Sequence, residues 1–339
     1  MKVLITGSLG LVGSTAAWFY LNKGFPVFGI DNDMRRHFFG ESGSVAGNMI
    51  VHSAYQHFGC DISKSEHIFE RVKPDVIIHA AAQPSHDWSA TNPLLDFGIN
   101  AYSTLMLLEF TRTHSPDSVF IYLSTNKVYG DWPNKLEFDE LETRYEPSKI
   151  FYLENWNGYA AGIKETMPID QGDCIHSPFG VSKLAGDLYV QEYARYFGLK
   201  TGIFRCGCVT GSRHAGAELH GFLSYMVRCK KEKKRYKVYG YKGKQVRDNI
   251  HARDLVTAID SFVRNPRPGE VYNMGGGRHS NISVLEALKW LKMKNWEYVD
   301  EPRKGDHRWY ISDVSKFKKD YPEWDYKYNL WAIMDDLMR

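Results

Sequence analysis

The run His176-Ser177-Pro178-Phe179-Gly180-Val181-Ser182-Lys183 opens a long amphipathic stretch that extends to Phe197. On a helix, residues four apart share a face, so Phe179 and Lys183 point the same way. A lysine placed there can hold a hydroxyl of one bound molecule while its neighbour reaches another. A second reactive group is the hydroxyl pair Ser124-Thr125, which ends the apolar run Val119 to Leu123. At the carboxyl end of a strand such a hydroxyl can bond a substrate oxygen and stabilise developing alkoxide charge. A third is Gln245-Val246-Arg247-Asp248. An arginine chelates a diphosphate with two donors, and the neighbouring Asp248 is expected to hold its fork. Arg308, in His307-Arg308-Trp309-Tyr310, is a weaker second ligand. Cys206 and Cys208 would share one face of a strand, but no second Cys or His pair completes a metal set. Metal binding is therefore not expected.

The elements that must position these groups alternate as β and α units. Val3-Leu4-Ile5 leads into Gly7-Ser8-Leu9-Gly10-Leu11-Val12-Gly13 and a helix through Leu21. Glycines at 7, 10 and 13 permit a tight turn, a close approach of backbone N–H groups to a pyrophosphate and close packing of helix on strand. The helix start then faces the phosphates. Val27-Phe28-Gly29-Ile30 ends in Asp31-Asn32, and an acid at Asp31 can take both hydroxyls of an adenosine ribose. It would repel a 2'-phosphate, so NAD is favoured over NADP; Arg35 and Arg36 either soften that preference or form a solvated loop pair. Further strands are read at Tyr55 to Cys60, Asp75 to His79, Val119 to Leu123 and Thr201 to Arg205. The alternation predicts an α/β fold with a doubly wound parallel (Rossmann) sheet and a smaller, interleaved C-terminal α/β substrate domain. Residues 1–205 form the first part and 206–339 the second, with an insertion at about 131–175 that packs as a lid or wall. Arg253 to Val263 and Ile282 to Leu291 are read as helices, and the basic run Lys230 to Arg235 as a solvated helix end.

Together these motifs resemble the extended short-chain dehydrogenase/reductase family, whose active-site signature is Tyr-x-x-x-Lys. The set Ser124-Thr-Asn-Lys-Val-Tyr-Gly130, Glu142-Thr-Arg-Tyr145, Asn157-Gly-Tyr159, His176-Ser-Pro-Phe-Gly-x-Ser-Lys183 and Gly243-Lys-Gln-Val-Arg-Asp248 is similar to its CDP-paratose 2-epimerase (CDP-tyvelose epimerase) group over essentially the whole chain. The resemblance implies that Thr125 bonds the sugar oxygen, that Lys183 anchors the nicotinamide ribose and lowers the pKa of the family's Tyr, and that Phe179 stands where that Tyr should exchange the proton. It further implies a cofactor contact set comprising Gly7, Leu9, Gly10, Leu11, Val12, Asp31, Asn32, Arg35, Asp61, Ile62, Ala80, Ala81, Ala82, Leu123, Lys183 and Cys206, with Asn100 bracing the site. Substrate contacts are implied at Pro84, Ser85, Asn126, Lys127, His176, Ser177, Gln245, Arg247 and Arg308. Dehydratases of the family carry Asp and Glu where this chain has Asn126 and Lys127, so loss of water is disfavoured.

The implied activity is NAD-dependent 2-epimerisation of a nucleotide-activated hexose, of the CDP-paratose to CDP-tyvelose type, by transient oxidation at C2. Phe179 predicts an impaired or inactive form. An introduced change at an otherwise intact site is favoured over a natural loss or relocation of the base. The alternatives are a 4-epimerase or keto-sugar reductase, and a non-catalytic protein that binds NAD or sugar nucleotides. Net charge is +3 over 339 residues, which calls for neither nucleic acid nor an anionic membrane as partner. The substrate is expected to be a CDP- or other NDP-hexose. Five cysteines without a C-x-x-C pair, no apparent leader and no long apolar run point to a reduced cytoplasmic protein. The family also implies a homodimer through helices near residues 100–113 and 179–197.

Overall fold

The computed structural model describes residues 1–148, 161–170, 172–218 and 220–339. The Asn157-Gly158-Tyr159 motif lies outside the described residues. Seven strands make the central sheet: β1 (Val3–Thr6), β2 (Val27–Ile30), β3 (Tyr55–Phe58), β4 (Val76–His79), β5 (Val119–Thr125), β6 (Lys200–Cys206) and β7 (Glu270–Met274). All pairings are parallel, in the order β7-β6-β5-β4-β1-β2-β3. The order reverses between β1 and β4, which opens a crevice at the carboxyl ends of those strands.

The apolar runs have no hydrophilic alternation because both faces of the sheet are covered. Val3 and Ile5 pack on one side against helices α1 (Leu11–Asn22) and α4 (Ala252–Arg264), meeting Ala16, Ala17, Leu255 and Ile259. Leu4, Ile77 and Phe120 face the other side, where α2 (Ser103–His114) and α3 (Ser177–Phe197) supply Leu107, Leu108 and Val190. Helix α3 starts with Pro178 in its first turn, where a missing N–H costs nothing, and ends at Gly198, whose φ of 75° suits the left-handed cap.

A second lobe is built from later chain. Helix Phe222–Lys231, the parallel pair Tyr236–Tyr239 and Trp296–Val299, and helices Val284–Trp290 and Leu330–Met338 share a core that includes Leu223, Met226, Val238, Leu288 and Ile333. Strand Val246–His251 collects Cys208–Thr210, Asn281–Ser283 and Trp309–Tyr310 into a small sheet. Between the two lobes' segments the chain returns to the central sheet as β7. The basic run from Lys230 to Arg235 is exposed at the end of its helix.

Two readings need correction. Ile282 lies in a strand rather than a helix, because Ser283 closes a capping box with Glu286 and starts the helix only at Val284. Cys206 and Cys208 do not share a strand: Gly207 separates β6 from Cys208–Thr210, which belongs to the small sheet. Of the insertion, Phe138–Glu140 and Tyr145–Pro147 form a hairpin that Arg144 ties to Glu146 at 2.8 Å and to Glu286 at 3.3 Å. Ile163 is fully buried against the second lobe, its N–H donating to the Ile311 carbonyl at 2.6 Å.

Candidate active site

Glycine is required at two points of the first turn. A Cβ on Gly13 would stand 2.1 Å from the Gly7 carbonyl oxygen, and one on Gly7, at φ 68°, would stand 2.6 Å from the Ala81 nitrogen. The start of α1 therefore lies against β1 and β4. Gly10, at its N-cap, offers no side chain, so the first N–H groups of the helix face open space. Asp31 sits at the end of β2, and its carboxylate accepts from the Leu9 N–H at 2.9 Å and the Asp33 N–H at 2.8 Å. Burial raises its pKa, and these two N–H groups pull it back. Each oxygen keeps a lone pair for a further donor. Asp31, Asn32, Arg35, Asp61 and Ile62 line one recess with the small residues Ala80 to Ala82. An uncapped helix start, an acid on β2 and a floor of alanines fit an adenine dinucleotide. Leu9 acts only through its backbone; its side chain is buried.

The recess opens into a cleft of about 390 Å³ that runs from Gly7, Gly10, Leu11 and Val12 past Pro84, Leu123 and Thr125 to the second lobe. Phe179, Lys183 and Cys206 line its middle. Helix α3 brings Phe179 and Lys183 to one face, with the Phe179 N–H held by the Ser89 hydroxyl at 3.1 Å. The Lys183 ammonium donates to the Leu123 carbonyl at 2.7 Å and lies 4.1 Å from the Tyr122 ring centre. Burial pushes its pKa down to about 8, against the pull of Asp187. Thr125 caps the short turn that follows β5: its hydroxyl accepts from the Lys127 N–H and donates to Asn126, both at 3.3 Å. Burial raises the Cys206 and Cys208 thiols to about 12, so neither is a ready thiolate.

At the far end the cleft is cationic. Arg247 reaches the Asp306 carboxylate at 2.6 Å and Lys127 reaches it at 3.3 Å, while Arg303 pairs with Asp87. Burial would raise the Asp306 pKa, but Arg247, Lys127 and Arg303 outweigh it and hold the acid well below its usual range. Gln245 also lines this end, its side-chain oxygen buried and without a hydrogen-bond partner among the described residues. Three cations against Asp306 and Asp87 suit a diphosphate.

Beneath the cleft lies a network the sequence did not announce. Arg205 grips Asp187 with two bonds of 3.0 and 2.9 Å, and both side chains are buried. Ser124 adds a bond to Asp187 at 2.6 Å, and the Tyr129 hydroxyl accepts from Arg205 at 3.2 Å. Asn100 is buried and braces the neighbouring loop, bonding the backbone of Gln83 at 3.0 and 3.1 Å and the Ser182 hydroxyl at 3.1 Å.

Several expected contacts stand elsewhere. Arg308 is exposed, its guanidinium over Tyr241 at 5.9 Å, and Arg303 occupies the cleft position assigned to it. Asp248 does not hold the Arg247 fork. Adjacent strand residues point to opposite faces, so Asp248 turns away to the N–H groups of Ser312 and Gly277, at 2.8 and 3.1 Å, and Asp306 takes the role. His176 is buried behind the cleft, where a Cβ on Gly130 would lie 2.8 Å from its Nδ1. Ser85 is buried and caps helix His86–Thr91, and Ser177, at φ 62°, accepts from the Gly180 N–H at 3.3 Å. None of these three lines the cleft. Arg303 and Asp306, which line the cleft, were not singled out because they lie in irregular chain; the signal available was the charged stretch Arg303, Lys304 and Asp306, interrupted by Gly305 and preceded by Pro302.

Comparisons with known proteins agree with this geometry. Residues 3–275 match the model of the NAD dependent epimerase/dehydratase family. The CDP-paratose 2-epimerase of Salmonella typhi is 32% identical over 333 residues, spanning 93% of this chain and 92% of that protein. A dTDP-glucose 4,6-dehydratase of Escherichia coli K12 is 27% identical, spanning 93% and 86%. The solved UDP-glucose 4-epimerase of Thermotoga maritima, crystallised with UDP-glucose, superposes with a TM-score of 0.78 at 25% identity, covering 100% of this chain and 97% of that one. The chain is a member of the NAD dependent epimerase/dehydratase family, the extended short-chain dehydrogenase/reductases that act on sugar nucleotides with NAD as cofactor.

Proposed function

We propose that this protein is a 2-epimerase of a nucleotide-activated hexose, of the kind that interconverts CDP-paratose and CDP-tyvelose, carried in a form whose proton-transfer step is impaired. The observation that carries this is the pair Asn126 and Lys127 beside Thr125 in the cleft, combined with the 32% identity to a CDP-paratose 2-epimerase along nearly the full length of both chains. Elimination of water needs an acid and a base at these two positions, and neither residue offers a carboxylate. Lys127 is instead tied to Asp306 and to the Gly305 carbonyl at 2.8 Å.

NAD, when bound, would supply a reversible hydride acceptor for the sugar carbon. The chain's residues do the rest. Gly7 to Val12 and the α1 start would hold the pyrophosphate, Asp31 the adenosine ribose, and Lys183 the nicotinamide ribose. Arg247 and Arg303 would take the diphosphate of the sugar nucleotide. Thr125 would bond the sugar oxygen and stabilise charge as its proton leaves. Phe179 offers a ring where that proton must go, and the loss of general acid-base help is worth roughly 10² to 10⁴ in rate. Phe179→Tyr is expected to raise turnover by such a factor, followed as inversion at C2 by NMR of CDP-paratose. An unchanged rate, with NAD and substrate still bound, would overturn the proposed role of position 179.

A second reading, a 4-epimerase, draws on the likeness of fold to the Thermotoga enzyme; inversion at C4 with C2 untouched would establish it. The five free cysteines suit a reducing compartment such as the cytoplasm. Among the described residues, no helix is long and apolar enough to cross a membrane. Exposed apolar side chains on two neighbouring helices, Tyr102 before α2 and Leu188, Tyr189 and Tyr196 on α3, support a homodimer through this face.

A further inference from the structure

A second cavity, of about 410 Å³, runs along the Leu11, Thr15, Trp18 and Asn22 face of α1, between that helix, the start of α4 and the loop at Gly211 to Arg213. Leu11 lines both this cavity and the main cleft. Arg213, Arg253 and Lys327 stand on its rim, all exposed, and among the described residues none of the three is in an ion pair. The Arg213 guanidinium lies 5.8 Å from the Trp18 ring centre, and Arg253 donates to the Tyr328 hydroxyl at 2.9 Å.

Two carboxylates border the cavity, and both are engaged from behind. Asp254 accepts from the N–H groups of Lys327 and Tyr328 at 3.1 and 3.0 Å. Asp336 accepts from the Ser212 N–H at 2.7 Å and faces His251 Nε2 at 3.2 Å. The His251 ring is stacked on Tyr328 at 3.9 Å between centres, and burial lowers its pKa, so it adds no charge at neutral pH. Three cations therefore face two acids, Asp254 with both oxygens and Asp336 with one already serving backbone donors, beside the half-buried rings of Trp18 and Tyr328. Arginine and lysine in this arrangement recognise phosphate oxygens, and an aromatic ring receives the remainder of a small molecule.

We propose that this cavity is a binding site for a small phosphate ester, separate from the main cleft, with the phosphate held by Arg213, Arg253 and Lys327 and the rest of the molecule against Trp18 and Tyr328. The site is linked to the glycine turn. The Arg213 carbonyl accepts from Asn48 Nδ2 at 3.1 Å, and the same amide donates to the Leu9 carbonyl at 2.8 Å. A ligand that draws on Arg213 thus acts on the turn through one intervening side chain, and any change it makes to NAD affinity must be mirrored in its own affinity when NAD is bound.

The test is calorimetric titration of the full chain, saturated with NAD and CDP so that the main cleft is filled, using inorganic phosphate, ribose 5-phosphate and AMP as separate probes. The expected result is one further equivalent per chain for at least one probe, weakened about tenfold or more in the double variant Arg213→Ala, Lys327→Ala. Both positions are exposed, so an unchanged melting curve is expected for that variant. The ranking of the probes then separates recognition of the phosphate alone from recognition of the ester. No binding of any probe at millimolar concentration, or binding that the double variant leaves intact, would overturn the proposal.

Discussion

Lys183 is a charged group kept in a setting that disfavours its charge. Burial brings its pKa to about 8, and among the described residues only the Leu123 carbonyl receives its proton directly. The sign of the consequence is fixed by which state holds more protons. Between about pH 8 and the ordinary lysine range, the unfolded chain keeps position 183 protonated while the folded chain releases the proton, so folding is favoured increasingly as pH rises. Below about pH 8 both states are protonated and the burial cost is carried in full. Relative to Lys183→Met, the parent chain should therefore gain stability as pH rises from about 8 to 10.5. At about 1.36 kcal/mol per pKa unit the ceiling is about 3 kcal/mol, read as a difference in urea midpoints. A difference that shrank over this interval would mean that the folded chain holds the Lys183 proton more tightly than the unfolded chain does. The cationic end behaves differently, since Asp306 stays ionised through the whole range in which the protein is expected to work.

At the scale of elements, β5, β6 and α3 are joined by the Arg205, Asp187, Ser124 and Tyr129 network, which holds the helix that carries Phe179 and Lys183 against the strand that carries Thr125. Asp187→Ala would leave Arg205 buried without its partner, a loss of roughly 3 to 5 kcal/mol. A denaturant midpoint within error of the parent would contradict that assignment. The same elements show why some of the site was legible and some was not. Val3 to Thr6, the glycine turn and Asp31 are contiguous, and each obeys a local rule of burial, turn or charge. Phe179 and Lys183 share a helix face by spacing alone. The cationic end is assembled from a strand at 247, a turn at 127 and irregular chain at 303 and 306, and no local pattern joins three segments so far apart. Sequence reasoning therefore singled out Arg308, which the fold leaves exposed, and not Arg303, which lines the cleft five residues earlier. It gave Arg247 its neighbour Asp248 as partner, although a pleated strand sends the two apart.

At the scale of the whole molecule, the α2 and α3 face leaves Tyr102, Leu188, Tyr189 and Tyr196 in water, with Leu94 and Phe97 close by in sequence. Light scattering should give about twice the 39.0 kDa chain mass. Leu188→Glu with Tyr189→Arg should bring it to the monomer value. A monomeric parent chain would remove the basis for a dimer through this face.

Strand β7 has the opposite effect, because it binds the molecule together from within. Midway through building the second lobe, the chain comes back to lie beside β6 and pairs Val271 with Ile203 and Asn273 with Arg205. A protease nick in the exposed stretch near Lys233 should therefore yield two fragments that co-elute under native conditions and separate only in denaturant. Neither half can be expressed alone as a soluble piece without leaving a bare sheet edge on one side and an orphan strand on the other. Evolution can vary the loops at either end of the cleft, but it cannot exchange one lobe for another as an interchangeable cassette.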